Sequence, residues 1–155
     1  MYESSTRPYP GGGACYEVEI YLTVGSCRGL VPGLYHYDPL MHHLTKLCNA
    51  NHFTEQILKS AKLSSANYDQ PQVVVNMTGR FARLSWKYQS IAYAVMLKDV
   101  GALYQTMYLV ATAMNLAPCG LGGGHVDWLC RAAGLNPLEE APVGELLLGS
   151  RSNQR

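Results

Sequence analysis

Pro71-Gln-Val-Val-Val-Asn-Met77 is a compact apolar run of strand length, and its three consecutive valines predict a strand covered on both faces in the centre of a sheet. From Gly79 to Asn115 no proline interrupts the chain. Leu84, Tyr88, Ile91 and Val95, then Leu103, Met107, Val110 and Met114, recur there at three- and four-residue steps, which predicts two abutting helices or one helix kinked near Gly101. Leu103, Met107, Leu109, Val110, Ala111, Ala113 and Met114 cannot all lie on one narrow stripe. That helix is therefore expected to be covered on several sides, by its own sheet and by a second surface such as another subunit.

Working outward, Tyr16-Glu-Val-Glu-Ile-Tyr-Leu-Thr-Val24 sets Glu17 and Glu19 against Val18 and Ile20, the period of a half-buried strand. Pro10-Gly-Gly-Gly13 ahead of it reads as a loop. Short strands are expected over residues 34–37 and 40–48, a helix over 52–61 capped by Asn51, and a final strand over 145–149. Pro118-Cys-Gly-Leu-Gly-Gly-Gly124 reads as a flexible loop, followed by a short helix over 125–133 that ends at Gly134 in a left-handed cap. Strands, helix, strand, long helix, short helix, strand, without internal repeats, make an α+β pattern.

The chain has 155 residues, 48% of them hydrophobic and 15% charged, the size of one domain spanning 1–155 with residues 1–9 as a polar lead. Twelve basic residues against 11 acidic ones leave a net charge of +1 with no basic block, so no nucleic-acid partner is expected. The longest apolar run, residues 107–117, is too short for the roughly 18 to 20 residues that cross a bilayer. With no apolar leader at the N-terminus, the expectation is a cytoplasmic protein with no membrane partner. Cys15, Cys27, Cys48, Cys119 and Cys130 form no CxxC pair, and the histidines lack ligand spacing, so neither a disulfide framework nor a metal site is expected.

Three features could carry chemistry. Lys87 and Tyr88 are adjacent, and an amine beside a phenol can act in proton transfer; the bland alternative is a solvated lysine beside a tyrosine packed on Leu84 and Ile91. The 118–124 segment precedes a helix, where clustered amides attract anions, yet it lacks Gly-Lys-Ser/Thr and has His125 where a dinucleotide fingerprint needs glycine. Taken alone it is equally a structural loop. Pro10 to Gly13 has the same two readings, close approach of a ligand or a tight lead into a strand.

Taken in order, Arg7-Pro-Tyr-Pro-Gly-Gly-Gly-Ala14, Gly29-Leu-Val-Pro-Gly-Leu-Tyr-His-Tyr-Asp-Pro39, Arg80-Phe-Ala-Arg-Leu-Ser-Trp-Lys-Tyr88, Leu97-Lys-Asp-Val-Gly101 and Leu116-Ala-Pro-Cys-Gly-Leu-Gly-Gly-Gly124 run nearly end to end. In them the chain resembles the SagB-type branch of the flavin-dependent nitroreductase superfamily, dehydrogenases that oxidise thiazolines and oxazolines in modified peptides. The resemblance implies a nitroreductase-like mixed, mainly antiparallel sheet flanked by helices, a two-fold dimer whose long helices pack together, and FMN in the groove between subunits. It implies Pro10, Gly11, Gly12 and Gly13 against one side of the flavin, and Pro118, Cys119, Gly120, Leu121, Gly122 and Gly123 presenting amides near its N5 edge. Arg151 is then placed near the cofactor phosphate, and Lys87 and Tyr88 are the pair that deprotonates the azoline carbon while N5 accepts the hydride.

The chain departs from the pattern by beginning downstream of the helices that carry an Arg-Arg-Ser-type phosphate grip. Gly11 also stands where a serine is common and Ala94 where an arginine is usual. Roughly the first third of a full-length relative is thus expected to be missing, to come from a complementing chain, or to have been lost in a non-catalytic relative. The expected activity is azoline-to-azole oxidation of a peptide-borne substrate. Its alternatives are a general NAD(P)H-dependent nitro or quinone reductase acting on a small molecule, and a non-catalytic scaffold subunit of a peptide-modifying complex.

Overall fold

The computed structural model describes residues 6–65, 69–122 and 125–151. Six strands, β1 (Val18–Val24), β2 (Gly33–Asp38), β3 (His43–Asn49), β4 (Val73–Gly79), β5 (Leu116–Leu121) and β6 (Ala141–Ser150), form one sheet in the order β3-β2-β1-β4-β6-β5. Every neighbouring pair is antiparallel. As the valine run predicts, β4 lies inside the sheet with all its residues buried. Each fully enclosed side chain such as Val74 or Met77 contributes roughly 2 kcal/mol by leaving water.

Helices cover the two faces unequally. On one face α1 (His52–Ser64) and α4 (Val126–Ala133) lie over Tyr21, Leu34, Val74 and Leu147, which pack with Ile57, Leu58 and Ala61 of α1 and Leu129 of α4. Asn51 caps α1 in a capping box: its side chain accepts from the amides of Phe53 and Thr54, and Thr54 Oγ1 accepts from the Asn51 amide. Gly134, at φ 68°, closes α4 in the left-handed region. On the other face α3 (Ala92–Ala113) crosses the sheet, with Val100 and Leu103 against Val18 and Met77.

Three expectations are corrected. Of the two helical alternatives, the pair of abutting helices is found and the kink near Gly101 is not: Gly101 sits within an unbroken α3, and the break lies at Gln89, whose φ of 46° ends α2 (Ala82–Tyr88) before a short 3-10 turn leads into α3. A glycine lowers helix propensity without bending a helix whose backbone ladder persists. The loop expected over 118–124 is a strand over its first four residues, with 123 and 124 outside the described residues: residues 116–121 are β5, an edge strand, where Pro118 opposite Leu148 lacks a donor that an outer edge does not require. Finally, β1 is covered on both faces, and Glu17 and Glu19 are buried. No described helix is long and apolar enough to cross a membrane.

Candidate functional site

The segment leading into β1 is strained. Gly11 is extended, Gly12 to Ala14 form a 3-10 turn, and Gly13, Ala14 and Tyr16 have φ of 57°, 56° and 49°. For residues with a Cβ this region costs roughly 1–2 kcal/mol each, so the surrounding structure must hold them there. The Gly12 amide donates to Asp99 Oδ2 of α3 at 2.6 Å. Arg83 Nη1 donates to the Tyr16 carbonyl and the Arg80 amide to the Glu17 carbonyl, each at 2.9 Å. The Arg7 guanidinium lies 4.8 Å from the centre of the Tyr16 ring.

Lys87 and Tyr88, at the end of α2, converge on this turn. A methyl group on Gly13 would collide with Lys87 Nζ and stand 2.8 Å from Tyr88 Oη, and one on Gly12 would collide with Val95 Cγ1. Lys87 Nζ is 5.6 Å from the centre of the Tyr88 ring. Half-buried, that ring packs against Leu84, Ala92 and Met96 while its hydroxyl reaches Gly13. Lys87 is exposed. The packed-tyrosine reading and the reactive-pair reading are therefore compatible: one edge of the ring anchors and the polar tip faces the turn.

Two buried carboxylates fix where α2 lies. Glu19 meets Arg83 Nη1 at 2.9 Å, Arg80 Nε at 3.5 Å and His36 Nε2 at 3.1 Å. Glu140 accepts from Arg80 Nε and Thr78 Oγ1, each at 2.6 Å, and from Tyr21 Oη at 2.8 Å. Burial alone would raise the Glu140 carboxyl, but the hydrogen bonds from Thr78, Tyr21 and Arg80 outweigh it and hold it below its ordinary range. Burial, reinforced by Glu140, pushes the Tyr21 phenol up. The arginines that open α2 are thereby tied to the sheet, which aims the other end of the helix at Gly13.

The remaining expected site residues form a second group along β5. The Gly120 amide donates to Tyr108 Oη at 2.6 Å, and Tyr104 Oη binds both the amide and the carbonyl of Glu145 on β6, at 2.7 and 2.8 Å. Arg151 is exposed and its Nε donates to the Leu116 carbonyl at 3.2 Å. Pro10 and Cys119 are exposed, Pro118 is half-buried and Leu121 is buried; Gly123 lies outside the described residues. The two groups are strung along α3, from Asp99 to Tyr108, nine residues or about 13 Å of helix. A separate apolar groove of about 560 Å³ between α3 and the β1–β3 side of the sheet is lined by Tyr9, Ile20, Leu22, Leu44 and Met107, and includes neither Lys87 nor Tyr88.

Asp99, Tyr104, Tyr108 and the burial of Glu17 were not read from the sequence. Asp99 alone left a signal, a carboxylate in the inward stripe of Met96, Val100 and Leu103. No group of three or more potential metal ligands exists among the described residues.

A six-stranded antiparallel sheet with two helices on one face and a long helix on the other is a nitroreductase-like architecture. The chain belongs to the Nitroreductase family, which it matches over residues 6–150. It is 27% identical over 149 residues to the microcin B17-processing protein McbC of Escherichia coli, an alignment covering 90% of this chain and 53% of McbC. To the trifolitoxin-processing protein TfxB of Rhizobium leguminosarum bv. trifolii it is 26% identical over 117 residues, 74% of this chain and 31% of TfxB. Among solved structures, a chain of the E. coli microcin synthetase McbBCD complex with truncated pro-MccB17 bound superposes with a TM-score of 0.81 at 25% identity, over 97% of this chain and 57% of that one. The chain thus spans about half the length of McbC.

Proposed function

We propose that this chain forms part of an FMN-dependent oxidoreductase that dehydrogenates thiazoline or oxazoline rings in a peptide, with Lys87 and Tyr88 as its proton-transfer pair. The observation that carries this reading is the convergence of Lys87 Nζ and Tyr88 Oη on Gly13. Similarity to two peptide-processing proteins supports a peptide substrate over a small-molecule one.

The residues present fit a flavin. Among the described residues no strand neighbours the outer edge of β5 and nothing lies within 4 Å of where a side chain on Gly122 would begin, and Arg151 offers an exposed guanidinium suited to a phosphate. Pro10 to Gly13 and Pro118 to Gly123 would flank the ring system and Arg151 would face the phosphate. When bound, FMN supplies the acceptor for the hydrogen and electron pair that leave the azoline. Acting as the base, the Tyr88 oxygen in its phenolate form, stabilised by the Lys87 ammonium beside it, takes the proton from the ring carbon and becomes a neutral phenol. The tie of Gly12 to Asp99 keeps the turn below this pair, so neither residue must be reoriented during reaction.

A second chain completes the proposal. Leu109 and Val110 of α3 and Met114 at its C-terminal cap are 63%, 52% and 64% exposed, and this apolar surface fits another copy of this chain or a complementing one. Addition of FMN to the purified protein tests the reading: uptake of a yellow cofactor, weakened by Arg151→Ala, is the expected result. A preparation that takes up no FMN, alone or with its partner chain, contradicts it and favours the scaffold alternative.

A further inference from the structure

Glu17 is 1% exposed, its Oε1 makes no hydrogen bond, and its carboxyl lies within hydrogen-bonding reach of that of Asp99. Two carboxylates cannot face each other ionised in such a place, because each would be desolvated and repelled by the other. The other half of Asp99 receives the Gly12 amide at 2.6 Å. The turn it holds departs into positive φ at three of four successive residues, Gly13, Ala14 and Tyr16, so it stays down only while something ties it.

We propose that Glu17 and Asp99 share one proton and act together as a positioning pair, a latch that holds the Gly12–Ala14 turn on α3 beneath Lys87 and Tyr88. With the proton present, Glu17 donates to Asp99 and Asp99 accepts from Gly12, so the turn is fastened to β1 and α3 at once. Without it, two adjacent negative charges repel, and relieving that repulsion moves the Asp99 carboxylate away from Glu17 and from the turn whose Gly12 amide it holds. The charged and titratable groups around the pair are Arg83 from α2, Lys87 and Tyr88 against Gly13, Tyr9 ahead of the turn and Glu19 further along β1. Arg83 draws the Glu17 carboxyl down, but it is already bonded to Glu19 and to the Tyr16 carbonyl. Burial pushes Glu17 up to about 7, and Asp99 adds to the rise.

The catalytic consequence rests on the azoline-dehydrogenase reading, but the latch itself does not. Amide hydrogen exchange of the peptide spanning residues 11–17, corrected for intrinsic rate and read on the full chain without substrate or cofactor, tests it. With the shared proton lost from a carboxyl at about 7 rather than 4.5, exchange in the wild type should rise by roughly tenfold or more between about pH 5 and pH 8. Glu17→Gln replaces the shared proton with a permanent N–H donor, and Asp99→Asn does so from the other side while keeping an acceptor for Gly12. Both near-isosteric variants should exchange slowly at both pH values. A wild-type profile that is flat with pH, or a variant that keeps the wild-type slope, overturns the latch. Turnover of an azoline peptide by the same proteins is judged separately, so an inactive protein with the expected exchange profile removes the azoline reading and leaves the latch standing.

Discussion

Glu145 should make this protein progressively less stable as the pH rises from about 4.5 to about 7. Its side chain is 6% exposed and Oε2 has no hydrogen-bond partner, and directly opposite it in the register Asn76 Oδ1 has none either. Burial alone lifts its carboxyl from 4.5 to about 7. The folded state therefore keeps a proton that the unfolded chain releases, so the contribution is fully present below about 4.5 and is lost as the pH climbs to 7. That rise from 4.5 to about 7 corresponds to about 3 kcal/mol. Glu145→Gln removes the ionisation and places an N–H donor across from Asn76 Oδ1. Above pH 7 the variant should be more stable than the wild type by up to that amount, a rise in Tm of roughly 6–12 °C for a domain of this size. Urea or thermal unfolding of both proteins from pH 4.5 to 8 measures it, and the difference between them isolates Glu145 from Glu17. Equal stability at pH 8, or a difference independent of pH, would refute the reasoning.

Other substitutions probe separate links. Gly13→Ala places a methyl against Lys87 Nζ in a left-handed backbone, so it should lower stability by about 1–2 kcal/mol in thermal unfolding and displace the Lys87–Tyr88 pair, with loss of turnover. Tyr108→Phe leaves the Gly120 amide without its acceptor and should cost about 1 kcal/mol, read as a lower Tm. Asn51→Ala removes the α1 cap and should cost about 1 kcal/mol in urea unfolding without altering FMN uptake.

What the residues disclosed without coordinates followed local rules. The valines of 73–75 announce β4 because only a strand covered on both faces tolerates them in sequence, and Asn51 and Gly134 announce helix ends because capping is settled within a few residues. By contrast, β5 depends on partners far along the chain: proline and glycine look like a loop until β6 pairs with them and Tyr108 takes the Gly120 amide. The helical break at Gln89 was hidden because nothing in a glutamine predicts positive φ, whereas Gly101 looked breakable and was not. In the site, Lys87 and Tyr88 were visible as a pair, but Asp99 is 87 residues from the amide it binds, a contact only tertiary structure makes. The alternation of Glu17 and Glu19 pointed to a wet face, which Arg80, Arg83 and α3 instead cover.

The central claim is that Lys87 and Tyr88, held over the glycine turn, move the proton of a peptide azoline. Mass spectrometry of a thiazoline-containing peptide incubated with the FMN-loaded protein tests it most directly. The account predicts loss of two hydrogens with the wild type and an unchanged peptide with Lys87→Ala or Tyr88→Phe, each still holding its flavin. Loss of two hydrogens at the wild-type rate in both variants would contradict it.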